Sequence, residues 1–583
     1  MPNRLQPLNL MDFTGGLNLR HNQFQLADNE SPDLLNVDID PRGGFFTRKG
    51  WQRWNADDVV DPAVEAWRPR NAFVHIHADG SQYVNVVNNS KIYWADSSAV
   101  FARLGTVVAG ATPHGADFTP WGDQVYIACG MNNPSVMVQG SGVVTPMTPE
   151  TWSEIDAPTR STMPQAEFCA AHAGYLFTAS IKEAGANHFA RVRWSHPLVP
   201  DAWRSDDFLD IDSGGGRITG IMSFRDHLLI FKTNSMWALY GYDDESWQLI
   251  KVSLSVGCPA ITAATRSETA VYFFSASDRG GIYGYSGDTP KHISMNLRPA
   301  FQEITAYQNV FVSWSGRRLW VGVPWVKDVG PTAQVSSVFI FDPEIGDAGA
   351  WVMYRSNFGA VGPVLDGSDV NAKYPLAAFW SDQVAVMVTL DVIDEAYDIV
   401  LPPSSLSLGA APGDSYLVTS NNEEIGVVGG VYSGQPFDSY YRTRWLHAGW
   451  PDRKKSWRRP TFVARQVNHD VDILVETFRD YNETTIHRTR TLRIKAEGDV
   501  YWTDTGFAEA EAGGFDWTPG GKADPTGTGA DWASARQGSM LLRAGSMGLA
   551  RSVQMRVRAS PTTPLSKWGV DGIVAKYVPR RFR

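Results

Sequence analysis

Two clusters in the 583-residue sequence have the residue types and spacing of metal sites. His75 and His77 stand two apart in an extended run, so they share one face of a strand, as two ligands of a metal would. No third ligand is in view, and a pair of strand histidines without metal is the simpler reading. Asn36, Asp38 and Asp40 alternate as oxygen ligands do in a calcium loop. The run continues into Pro41-Arg42-Gly43-Gly44 and has no Glu at the twelfth position, which excludes an EF-hand. No metal and no cofactor is expected.

Catalytic motifs are missing in the same way. The sequence has no Gly-x-Ser-x-Gly elbow, no His-Glu-x-x-His and no phosphate loop ending in Gly-Lys-Ser/Thr. The turn Ser277-Asp278-Arg279-Gly280-Gly281-Ile282-Tyr283 resembles the Asp-box of sialidase propellers, but Ala276 replaces the Ser or Thr of that motif and one copy is visible. Such boxes staple turns, and a sialidase also needs an arginine cluster and a Tyr–Glu pair. The chain is therefore not expected to be an enzyme. The densest charge cluster is Arg453-Lys454-Lys455-Ser456-Trp457-Arg458-Arg459. Its interleaved Trp suits nucleic acid, its charge suits an exposed loop, and both suit an acidic neighbour in an assembly; the last is the reading adopted.

The elements that carry these residues are strands. The aromatic content is 12%, with 22 Trp, 53 Gly and 34 Pro, a composition of short strands and many turns. From about 70 to 400 a polar or Gly turn repeatedly precedes an apolar strand. Trp121-Gly122-Asp123-Gln124, His172-Ala173-Gly174-Tyr175 and Phe224-Arg225-Asp226-His227 are copies, as are the turns before Val271 and Leu319. The markers Val125, Leu176, Leu228, Val271 and Leu319 are 51, 52, 43 and 48 residues apart, and an earlier copy precedes Tyr83-Val84. One unit reads as four strands: Ile218 to Phe224, Leu228 to Phe231, Met236 to Tyr240 and Trp247 to Val252. Four antiparallel strands per 40–50 residues is the pattern of a β-propeller blade. Six units are clear and a weaker seventh surrounds Ala377 to Leu390. Most Trp and Tyr, such as Trp237 and Trp351, fall inside strands and are expected in blade packing.

The expected fold is all-β: an irregular six- or seven-bladed β-propeller with an N-terminal hairpin module and a C-terminal β-sandwich-like domain. The boundaries read 1–60, 61–400 and 401–583, with Pro- and Ser-rich linker chemistry at 401–413. In the first module Leu34 to Asp40 reads as one half-buried strand, turning at Pro41 to Gly44. Residues 504–540, rich in Gly, Ala and Thr, read as a long loop. Net charge is −10, unevenly placed. Residues 401–583 hold 24 basic and 19 acidic side chains, net +5, which leaves 28 and 43, net −15, in 1–400. Such a chain is a poor bulk binder of DNA. Cys129, Cys169 and Cys258 form no disulfide or zinc pattern and read as small core residues. No secretory signal and no apolar run of about 18 residues is present, so folding in a cytosol is expected.

Both ends of the chain carry a resemblance. Phe13-Thr14-Gly15-Gly16-Leu17-Asn18, Ala27 to Pro32, Asn36 to Gly44 and Arg48-Lys49-Gly50 resemble the start of bacteriophage tail structural proteins. Gly548 to Arg551, Trp568-Gly569-Val570 and Tyr577 to Arg581 resemble their end. The group includes the nozzle of short-tailed phages, also called tail tubular protein B. The resemblance implies a propeller with added β domains, assembled as a six-fold homohexameric ring below portal and adaptor proteins. It further implies a virion location, assembly in the host cytoplasm, tail fibres or spikes and the host surface as neighbours, and genomic DNA passing without tight binding. On this view the lumen wall is acidic or neutral, because fixed cations would hold phosphates. Ring or adaptor contacts are expected at Arg42, Arg48 and Lys49, and at Arg453, Lys454, Lys455, Arg458 and Arg459. Phe507, Phe515, Trp517 and Trp532 mark the expected channel or tip loop. A minor tail protein of a long-tailed phage, a receptor-binding, glycan-binding or glycan-degrading tail propeller, and a bacterial interaction propeller share parts of this pattern.

Overall fold

Primed turns join the first two strands of several repeats. Ala173 and Gly174 both have positive φ, 49° and 81°, and so do Gly316 and Arg317, at 60° and 65°. This geometry matches the right-handed twist of paired strands, and Gly adopts it at little steric cost. Register follows: His172 opposes Tyr175, and Ser315 opposes Arg318. The computed structural model describes residues 5–579, except 23, 56–68, 77–81, 89–90, 97–101, 107–115, 131–132, 139–143, 150–161, 212–215, 244, 278–279, 303, 305–306, 325–334, 347, 356–357, 367–372, 380–386, 394–396, 399–434, 466–470, 495–501, 504–505, 508–538 and 560–566.

Among the described residues, seven four-stranded sheets follow one another. Their first strands are Pro69–Ile76, Asp117–Trp121, Gln165–His172, Ile218–Phe224, Ala264–Arg266, Phe311–Ser315 and Phe358–Asp366. Every repeat marker lands on a second strand: Val125 in Gln124–Ala128, Leu176 in Tyr175–Glu183, Leu228 in His227–Lys232, Val271 in Val271–Ser275 and Leu319 in Arg318–Pro324. The sequence motif is thus the hairpin between strands one and two. The seventh sheet takes its fourth strand, Gly50–Arg53, from near the start of the chain. The fold is all-β, and these sheets form a seven-bladed β-propeller.

Adjacent blades are tied by side chains on the first strands. Asn71 Nδ2 donates to Ala116 O at 3.1 Å, and Phe73 stacks on Phe118 with centroids 5.4 Å apart. Thr119 Oγ1 donates to Cys169 O at 2.9 Å. Trp314 N donates to Thr265 Oγ1 at 3.0 Å. Phe358–Asp366 lies against both Phe311–Ser315 and Pro69–Ile76, which closes the ring. Apolar clusters fill the spaces between blades. Phe168, Phe177, Trp194, Ile221 and Ile230 pack blade three on blade four, and Phe231 meets Phe273 between four and five. Each such buried side chain contributes about 1.5–3 kcal/mol. Cys129, Cys169 and Cys258 are buried, as expected, and burial pushes the thiols of Cys129 and Cys258 up to about 12.

The chain divides into two compact units, and the division corrects the expected boundaries. One unit is 52–341 with 354–390, and the other joins 1–51, 342–353 and 391–583. The N-terminal module is therefore part of the C-terminal sandwich. Gln6–Leu10 pairs with the last strand, Gly569–Pro579, which also pairs with Phe45–Thr47. Asp33–Leu35 joins a second sheet through Tyr440–Arg442. The expected continuous strand from Leu34 to Asp40 is broken at Asn36, whose φ is 51°. Asn tolerates this conformation, and its amide donates to Asp438 O at 2.7 Å. The break sends Asp33–Leu35 to one sheet and Val37–Ile39 to the other. The sheets are joined at Phe45, which stacks on Tyr441 with centroids 4.2 Å apart and meets Phe13 and Trp568 edge-on.

Candidate functional site

The expected basic contacts separate into two groups once burial is known. Arg42 projects at the hairpin tip, beside Asp40 at 3.2 Å. Lys454, Arg458 and Arg459 are exposed, Lys49 is half-buried, and Arg453 is half-buried with its guanidinium 4.3 Å from the Trp450 ring centroid. These six reach the surface of the unit. Arg48 and Lys455 do not. Arg48 is buried, its guanidinium lies 3.6 Å from the ring centroids of both Trp51 and Phe437, its Nε donates to Asn36 Oδ1 and its Nη1 donates to Lys49 O. Lys455 is fully buried, and its ammonium donates to the carbonyls of Arg453 at 2.9 Å, Arg551 at 3.0 Å and Trp450. Burial, with nearby Arg453, brings its pKa down to about 8. Both residues are internal braces of the sandwich, because each finds enough acceptors or ring faces to replace water.

This distinction is measurable. Lys455→Met takes the ammonium away from three carbonyls, of which Trp450 O keeps the N–H of Arg453, and is expected to lower unfolding free energy by about 2–3 kcal/mol in urea titration. The double variant Arg458→Glu, Arg459→Glu is expected to change stability by less than about 0.5 kcal/mol. Phe515, Trp517 and Trp532 lie outside the described residues, as do the contacts of Phe507, whose backbone forms the short strand Gly506–Phe507 against Trp502–Thr503. His77 and most of the 504–540 segment are also outside them. Among the described residues no group of three His, Cys, Asp or Glu could hold a metal ion.

Among the described residues of the propeller, two cavities stand out that no sequence motif marks. One, of about 410 Å³, lies where the repeat turns of blades two, three and four meet. Trp121, His172, Ser223, Arg225, Asp226 and Tyr242 line it. His172 Nδ1 is 2.9 Å from Ser223 Oγ, and burial lowers its pKa, as does nearby His227. Asp226 bonds to His227 Nδ1 at 2.9 Å, not to His172. The Ser–His pair therefore lacks the carboxylate that would orient a general base. Arg225, at φ 53°, spends its guanidinium on the carbonyls of Ser286 and Thr269. The site can hydrogen-bond a polar ligand between two aromatic side chains.

The second cavity, of about 360 Å³, lies on the propeller axis among first strands. Phe73, Phe118, Phe311, Trp314, Met222 and Ile261 supply apolar wall. Asp117 opens onto it, with Oδ1 accepting from Phe118 N and Oδ2 from Cys169 N, both at 3.1 Å. Burial pushes the Asp117 carboxyl up to about 7, against the pull of those two N–H groups. No motif marks Asp117 in the sequence. Its position at the head of a first strand is the signal, and it acquires meaning once the blade order is known.

No protein-family model matches the chain, and no curated protein matches it. Solved structures are similar at low identity. One is titled YCF48 bound to D1 peptide, 8% identical with TM-score 0.35, covering 61% of this chain and 99% of that one. Another is virginiamycin B lyase from Staphylococcus aureus, 10% identical with TM-score 0.35, covering 58% and 98%. A third is the computationally designed Ika8 protein, 10% identical with TM-score 0.32, covering 59% and 99%.

Proposed function

We propose that this chain is a structural subunit of a bacteriophage tail, a nozzle-like protein that forms a homohexameric ring through which DNA leaves, and not an enzyme. One observation carries the reading. The motifs that resemble tail proteins lie at opposite ends of the sequence, yet they meet in one packed cluster. Phe13 of the first motif donates its N–H to Gly43 O of another at 2.9 Å and touches Phe45, which directly follows that motif and meets Trp568 from the last. Thr47 N donates to Trp568 O at 2.9 Å, and Gly569 opposes Phe46 across the sheet. The packing of the two ends into one cluster supports reading them as a single signature.

The axial cavity of about 360 Å³ is of small-molecule size, so a DNA conduit would be the space between copies and not the propeller axis. Arg42, Lys454, Arg458 and Arg459 are the exposed charges offered to a neighbouring copy or an adaptor protein. Native mass spectrometry of the full chain is expected to give a hexamer, alone or on addition of its adaptor. A persistent monomer in both conditions would refute the ring. A glycan-binding tail propeller is the second reading, favoured by the 410 Å³ cavity between Trp121 and Tyr242. Binding on a glycan array that Tyr242→Ala abolishes would favour it.

A further inference from the structure

The polar side chains around the axial cavity are mostly occupied. Asn71 donates to Ala116 O, Thr262 Oγ1 to Val310 O at 3.4 Å and Arg266 Nη1 to Ser223 O at 2.9 Å, while Thr265 Oγ1 receives Trp314 N. Each of these bonds ties neighbouring segments of the ring together. Asp117 is different in kind. Its two oxygens each accept one backbone N–H, and each keeps further lone-pair capacity. Among the described groups, no cation enters the balance that sets its charge. Among the described residues, Arg266 is the basic side chain lining the cavity, and it is bonded elsewhere.

The occupant that completes such a site must bring a positive charge and apolar surface together. Aromatic faces attract cations, and a nearby carboxylate neutralises them. A bare divalent ion is a poor fit, because one carboxylate supplies far fewer than the six to eight oxygens of calcium. A neutral apolar molecule would leave the charge of the carboxylate balanced only by its two N–H partners. A volume of about 360 Å³ suits a small organic ion. We propose that the axial cavity binds a small organic ammonium ion, with its charge at Asp117 and its alkyl portion against Phe73, Phe118, Phe311 and Trp314. This inference stands independently of the tail reading.

Because the Asp117 carboxyl titrates near 7, a cation competes with a proton for it, and affinity should rise with pH. Among the described residues, the other titratable or charged groups on the elements around it are the Cys169 thiol, pushed up by burial, Arg266, and His75 farther along the strand of Phe73. The test is isothermal titration of the full chain with butylammonium chloride and, separately, with 1-butanol, at pH 8.5 and pH 5.5. Butylammonium is expected to bind with a Kd of about 1 mM at pH 8.5. At pH 5.5 it should bind about tenfold more weakly or worse, and butanol should be at least about tenfold weaker at either pH. Asp117→Asn should remove the preference for the cation. Should that variant fail to melt cooperatively, Phe73→Leu should weaken butylammonium about three- to tenfold and leave butanol unchanged. Equal binding of amine and alcohol, affinity that ignores pH, or no binding by about 20 mM would each overturn the proposal.

Discussion

Phe45→Ala is expected to destabilise the sandwich unit by about 3–5 kcal/mol, the range for emptying a buried Phe site. Phe45 is fully buried and lies at the meeting point of both sheets, in contact with Phe13, Tyr441 and Trp568. Its neighbours are held by separate bonds: Trp568 Nε1 donates to Ser439 Oγ at 2.9 Å, and Trp568 N donates to Thr47 Oγ1 at 3.1 Å. Those bonds limit how far the walls can collapse, which puts the cost toward the upper end. A loss of this size is comparable with the whole stability of a marginal domain. Urea titration followed by aromatic circular dichroism is the measurement. Leu541→Ala is the control, because Leu541 is 69% exposed and should change stability by less than about 0.5 kcal/mol. Equal effects of the two substitutions would mean that the two sheets are not held together at Phe45.

Asp117 should make stability fall as pH rises. Its folded pKa, about 7, lies above the ordinary aspartate value of 3.8, so between these limits the folded chain binds more protons than the unfolded one. The slope of unfolding free energy against pH is then negative. The penalty is absent below about pH 4 and complete above about pH 7. A shift of about three units corresponds to about 4 kcal/mol, and partial contact with the cavity reduces this to about 2–4 kcal/mol. Asp210 and Asp226 act with the opposite sign and in another window. Hydrogen bonds to Arg191 and to His227 hold their carboxyls below the usual range, so their contribution is lost only as pH falls below about 4. Comparing the parent with Asp117→Asn isolates the group. The asparagine keeps one acceptor and loses the other, a pH-independent offset. From pH 4 to pH 8 the stability difference should move toward the variant by about 2–4 kcal/mol. A difference that stays flat across this range would show that Asp117 is ionised throughout.

The sequence by itself determined the blades. Alternating apolar residues and two-residue polar turns are local signals, and each hairpin from Gln124 to Leu319 was legible because strand and turn lie within a few residues of one another. It also determined the β character of the last 170 or so residues. Only the tertiary structure decided that Gly50–Arg53 supplies the last strand of the seventh blade, and that the first fifty residues and the last strand are one unit. Pairing across such a separation leaves no periodic trace in either segment. The buried cations make the same point. Arg48 and Lys455 have the composition of a surface and the position of a core, because rings and carbonyls from distant segments surround them. Asp117 is an ordinary residue at the start of a strand until the ring places it at the axis, half-buried at the rim of a cavity with aromatic walls. Local pattern sets which bonds a segment can make with itself, whereas burial and electrostatic environment depend on what the rest of the chain brings to it.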